Sequence, residues 1–170
     1  MKTLFQKLAA AAGAIILAGG LAAATRGQKA IAAPDVTTAN DLTGVWEALG
    51  VPPEVDCVTG KPIGPLINVS YTFHQGGTMY QEDTLGKDRY RTTGGGLWKR
   101  TSGRNYTYVF FHYAFDAAGN YLFKVRGRSN LVLSADSNSL TEQGTFELVQ
   151  QNGTVIYSGC FNGTSNRITF

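Results

Sequence analysis

Residues 104–134, RNYTYVFFHYAFDAAGNYLFKVRGRSNLVLS, read as two strands joined by a tight turn. Aromatic and β-branched residues crowd both arms, and no helical spacing of apolar residues runs through them. Between the arms, Asp116-Ala117-Ala118-Gly119-Asn120 places glycine at the fourth position of a type I turn. That is a three-residue hairpin loop closed by a glycine bulge, and it sets Asp116 opposite Asn120. Side chains alternate along a strand, so this register sorts the hairpin into two faces. One face carries Val109, Phe111, Tyr113 and Phe115 with Tyr121, Phe123 and Val125, and is almost wholly apolar. The other carries Tyr106, Tyr108, Phe110 and His112 with Lys124, Arg126 and Arg128, joined by Trp98 from the preceding strand. It is aromatic and basic together.

Outward from this hairpin the same pattern repeats. Strands are expected at 42–49, 66–74, 77–84, 95–100, 104–116, 120–134, 140–150 and 153–162, with the terminal RITF extending or closing the last. The turn RTSGR (100–104) is expected to pair Arg100 with Arg104, and ADSNS and QQNGT supply two further turns. Pro52, Pro53, Pro62 and Pro65 interrupt residues 50–65 and forbid regular pairing there. LGKDRYRTTGG, 85–95, reads as a basic, mobile loop. Eight sequential antiparallel strands with short turns predict an all-β domain over 42–170, an eight-stranded antiparallel up-and-down barrel.

The N-terminus reads differently. Residues 1–32 combine Lys2 and Lys7 with an Ala- and Gly-rich apolar run, Leu8 to Ala24, the pattern of a signal peptide. Cleavage after Ala32 is preferred to cleavage after Ala24, because TRGQK reads as a polar spacer. Residues 33–41 would then form a short linker, with no transmembrane segment left after cleavage. Export predicts a secreted or periplasmic protein, and in an oxidising compartment Cys57 and Cys160 are expected to form one disulfide. Loss of Lys2, Lys7, Arg26 and Lys29 changes the net charge from +3 to −1, which removes any argument for nucleic acid as a partner. The remaining charge is segregated. Residues 87–128 hold nine Lys and Arg against Asp88 and Asp116, so this segment is +7 and the rest of the mature chain −8.

With Gly44-Val45-Trp46 in a first strand, a meander of eight strands, Cys160 near the end and Arg167 close to the C-terminus, the chain resembles the lipocalins and the wider calycin group. The order GVWEA, TGKP, YTFHQGG, GGGLWKR, FDAAGNY, SGC is also similar to uncharacterised exported bacterial proteins of this size. The lipocalin resemblance implies a ligand-binding barrel in which Trp46 plugs the closed end and Arg167 lies over it. The N-terminal helix usual before the Gly-x-Trp is missing here. Allene oxide cyclase and dirigent barrels fit the strand pattern nearly as well.

Two arrangements follow for the aromatic-basic face. Turned inward, Trp98, Tyr106, Tyr108, His112, Lys124, Arg126 and Arg128 would line a cavity for a small amphipathic anion, the arginines binding its acidic end. Turned outward, the same residues would form a solvated cation–π surface over a barrel filled by its own side chains. His74 and His112 share no metal-ligand spacing, so neither a metal nor another cofactor is expected. No nucleophile-elbow or phosphate-loop motif occurs, and no catalytic residue is assigned. A small-molecule binder is the leading expectation. An isomerase or cyclase of the allene-oxide-cyclase kind and an interaction module with a basic outer surface are the alternatives, and the sequence leaves the oligomeric state open.

Overall fold

The computed structural model describes residues 41–84 and 89–170. The expected leader, all of the linker but Asp41, and the charged pair Lys87 and Asp88 lie outside the described residues. The described chain is all β. Its strands are β1 (Gly44–Val51), β2 (Glu54–Val55), β3 (Pro62–Ile63), β4 (Ile67–Phe73), β5 (Thr78–Asp83), β6 (Arg89–Arg91), β7 (Gly94–Ser102), β8 (Asn105–Asp116), β9 (Tyr121–Leu133), β10 (Ser139–Val149) and β11 (Val155–Arg167). Eight of them are hydrogen-bonded in the order β1-β4-β5-β7-β8-β9-β10-β11, and β11 returns to β1, with Trp46 opposite Arg167. The result is a closed, eight-stranded antiparallel barrel.

Alternation decides which residues face inward. INVSYTF in β4 buries Ile67, Val69, Tyr71 and Phe73 and leaves Asn68, Ser70 and Thr72 to the other side. In β5, Met79 and Gln81 are buried while Tyr80 and Glu82 are exposed. One end of the barrel is packed solid by Leu42, Trp46, Phe73, Met79, Tyr106, Leu131, Leu133 and Leu140. Each such side chain contributes about 1.5–3 kcal/mol by leaving water. Trp46 is fully buried there, its indole N–H donates to the Leu42 carbonyl at 2.9 Å, and the Arg167 guanidinium lies 4.2 Å over its ring. Arg167 in turn donates to the carbonyls of Asp41, Thr43 and Ser137, tying three chain segments across this end.

The proline-rich segment departs from expectation. β2 and β3 pair with each other, and Val55 pairs with Cys160 of β11, so a short ribbon does form within 50–65. Pro62 is tolerated because β3 is the outermost strand and its missing N–H has no partner to satisfy. Cys57 and Cys160 are joined by a disulfide that spans 103 residues. Within the expected basic loop, β6 pairs with the far end of β8, beyond the reach of β7.

The β8–β9 hairpin contains the most consequential correction. Its loop forms as expected: Asp116 and Asn120 face each other, and Gly119 takes φ 84°. One step inward, Phe115 pairs with Tyr121 but Ala114 pairs with Phe123, so Leu122 is an extra residue, a bulge. A one-residue slip turns every later side chain of β9 to the opposite face. Lys124, Arg126 and Arg128 therefore stand beside Tyr113, Phe111 and Val109, not beside His112, Phe110 and Tyr108. The β7–β8 register also differs from expectation. Arg100 pairs with Tyr106, and Ser102 with Asn105 through Gly103 and Arg104. That shift is two residues over most of the ladder, so it leaves the faces of β7 unchanged.

Candidate functional site

At the end of the barrel away from Trp46 the interior opens into a cavity of about 340 Å³. Its apolar wall comes from Ile67, Val69, Phe110, Phe123, Val125 and Phe161, and its rim includes Pro52, Pro53, Ile63, Tyr90 and Tyr157. Ile63, Tyr90 and Tyr157 are exposed, so the mouth faces solvent. The β2–β3 ribbon borders this mouth and is held in place by the disulfide and by the Tyr157 hydroxyl donating to the Glu54 carboxylate.

Glycines create the space. Gly127, Gly144 and Gly159 occupy inward positions, and aromatic rings lie directly against them. A Cβ at Gly127 would sit 2.3 Å from the Phe110 ring, one at Gly144 2.3 Å from Phe161, and one at Gly159 2.6 Å from Phe146. Three large aromatic side chains thus line the wall without crossing the lumen.

Below the cavity lies a buried polar network. The hydroxyls of Tyr71 and Tyr108 donate to the two oxygens of Glu142, at 2.7 and 2.6 Å, and Ser129 adds a third donor at 3.3 Å. Glu142 is almost completely buried, and desolvation raises its pKa above the ordinary carboxyl value despite these three donors. The same burial, together with the Glu142 carboxyl, pushes both tyrosines well above the usual phenol range. The network ties β4, β8, β9 and β10 together and separates the packed end from the open one.

A second polar cluster sits on the cavity wall. Arg91 pairs with Asp83, donates to the Gln81 carbonyl at 2.8 Å and to the Thr92 carbonyl at 3.1 Å. Gly94 makes room for it, since a Cβ there would stand 2.8 Å from the guanidinium. His112 faces the same space and stacks on Phe110 with ring centroids 6.3 Å apart. Burial, with a smaller contribution from Arg91, lowers its pKa to about 3, so the imidazole is neutral at physiological pH. Two buried polar atoms in this cluster, Gln81 Oε1 and His112 Nδ1, have no hydrogen-bond partner among the described residues.

The residues singled out in the sequence separate into four places. His112 lines the cavity. Tyr108 belongs to the Glu142 network beneath it. Tyr106 packs in the closed end, and Trp98 packs against it, its indole donating to the carbonyls of His74 and Thr78 at 3.0 Å. Lys124, Arg126 and Arg128 are on the outer surface, where a shallow groove also includes Leu97, Val109 and Phe111. Lys124 lies 4.7 Å over the Phe111 ring, and Arg126 forms an ion pair with Glu147 at 2.6 Å. Trp98, Tyr106, Tyr108 and His112 therefore do not share a face with Lys124, Arg126 and Arg128.

Residues that sequence reasoning did not single out make up most of the cavity's polar chemistry. Glu142 had a legible signal: it occupies the apolar phase of β10, between Leu140 and Gly144. Gln81 has the same signal, two residues from Met79 in β5. Arg91 has none, because its strand is three residues long and its position depends on Gly94. Comparison with protein-family descriptions and with curated proteins finds no match to this chain.

Proposed function

We propose that this protein is an exported barrel that binds a small, mostly apolar molecule in the cavity at its open end. The observation that carries this reading is the solvent-facing cavity of about 340 Å³, walled by aromatic and aliphatic side chains with a few convergent polar groups. Trp46 beneath Arg167 supports the lipocalin-like version of the reading, and the Cys57–Cys160 disulfide supports export to an oxidising compartment. The three cations that motivated an anionic ligand lie on the outer side of the wall, so they do not enter the proposal.

An uncharged, environment-sensitive dye such as N-phenyl-1-naphthylamine tests it. Saturable fluorescence enhancement at one dye per chain is expected. Val125→Trp, which fills the lumen, should abolish it, and the double substitution Arg126→Ala with Arg128→Ala should leave it unchanged. An absence of saturable binding by the unaltered protein rejects the reading, as does loss of binding in the outer variant alone.

A second reading rests on the outer face. Val109, Phe111 and Tyr113 are exposed beside Lys124, Arg126 and Arg128, a mixed apolar and basic surface suited to an anionic partner. Association with anionic vesicles that disappears at high salt, in a protein that takes up no dye, would favour it.

A further inference from the structure

We infer that the ligand of this cavity is a neutral molecule bearing a hydroxyl group, an alcohol or a phenol, and that Gln81 and His112 hold that hydroxyl. The inference rests on the cavity-binding reading and specifies its chemistry. Gln81 is more than nine-tenths buried, lines the cavity, and its Oε1 lacks a hydrogen-bond partner among the described residues. His112 Nδ1, on the same wall, is buried and equally unpartnered. An unsatisfied buried polar atom is costly, so two of them facing one apolar cavity mark where a ligand supplies the missing partner.

The kind of partner follows from what these groups offer. An amide presents one acceptor and one donor group, and a neutral imidazole presents one of each as well. A hydroxyl both donates and accepts, so it can satisfy either. A carboxylate only accepts and leaves the Gln81 oxygen unpaired. Charge points the same way. The carboxyl and guanidinium side chains lining the cavity are Glu54, Asp83, Glu142 and Arg91, and Arg91 is already engaged by Asp83. An incoming anion would find no uncommitted cation among these and would face acidic side chains in a poorly hydrated space.

Calorimetric titration with naphthalene, 2-naphthol and 2-naphthoate at neutral pH separates the possibilities, because the three share one apolar body. 2-Naphthol is expected to bind about tenfold more tightly than naphthalene, the value of one well-made hydrogen bond, and also more tightly than 2-naphthoate. Gln81→Leu should reduce 2-naphthol to the level of naphthalene and leave naphthalene within about twofold. His112→Phe should remove part of the same advantage, and it serves as the second variant if Gln81→Leu does not fold. Tightest binding by 2-naphthoate overturns this inference and leaves the cavity-binding reading standing. An advantage of 2-naphthol that survives both substitutions overturns the assignment of the residues. Failure of all three compounds to bind overturns the cavity-binding reading itself.

Discussion

His112 shows how a single half-buried side chain links the cavity to stability. Its folded-state pKa of about 3 lies well below the ordinary histidine value of 6.5, because burial and the nearby Arg91 both disfavour the imidazolium. The unfolded chain therefore binds more protons than the native one between these two values. Stability associated with His112 is complete above about pH 6.5 and falls as the pH drops towards 3, by up to about 1.4 kcal/mol for each pH unit. Chemical denaturation at a series of pH values should show this slope in the unaltered protein. His112→Phe should lack that part of it, and equal slopes in the two would mean that His112 is solvated. Glu142 is the opposite case. Its raised pKa means the protonated form is favoured by folding, so its contribution is complete at low pH and declines as the pH rises through the folded value.

At the scale of strands, paired glycines and rings shape the lumen. Phe110 over Gly127, Phe161 over Gly144 and Phe146 over Gly159 are three instances of one device on neighbouring strands. Gly127→Ala places a methyl group where the Phe110 ring now lies, so the ring must swing into the cavity. The expected outcome is a loss of about 1–3 kcal/mol in unfolding free energy together with weaker dye binding. Unchanged stability and unchanged binding would mean that the ring is free to move without cost. The strand boundaries were legible because alternation and turn chemistry are local. Gly119 in β8–β9 and Gly153 in β10–β11 both adopt the positive φ that their turns require. The Leu122 bulge was not legible. Nothing in Tyr121-Leu122-Phe123 distinguishes a regular strand from a bulged one, since all three residues are apolar and suit either face. What selects the bulge is the cost of the alternative: the regular register would turn Lys124, Arg126 and Arg128 into the barrel, where the inward acids Asp83 and Glu142 are already engaged by Arg91 and by the tyrosines.

For the whole molecule, the disulfide and the closed ladder act on different parts of the stability. Closure of β1 on β11 at Trp46 and Glu47 joins the first and last strands of the ladder, so neither is a free edge there. The Cys57–Cys160 bond restricts the unfolded chain over a separation of 103 residues, which the loop-entropy relation values at about 4–5 kcal/mol. It also anchors the β2–β3 ribbon beside the cavity mouth. Replacing both cysteines by serine is expected to lower the unfolding free energy by up to that amount and to speed ligand release, with the barrel signature in circular dichroism retained. Release rates identical to the unaltered protein would show that the ribbon stays in place without the bond.

The eight barrel strands, their hairpin order, the barrel and the cysteine pair available for a bond are all legible in the amino-acid sequence, whereas the short strands β2, β3 and β6 are not. The legible strands follow from alternation over a few residues and from turn residues with narrow conformational ranges. Which side of the wall each strand of the central hairpin presents, and with it the character of the site, is set by packing between strands. That choice rests on the parity of the register: a two-residue error along β7 leaves the faces unchanged, whereas one extra residue at Leu122 moves three cations from the lumen to the surface. The same packing also seats Arg91 over Gly94 beside Gln81 and His112, through contacts between strands that no local pattern encodes.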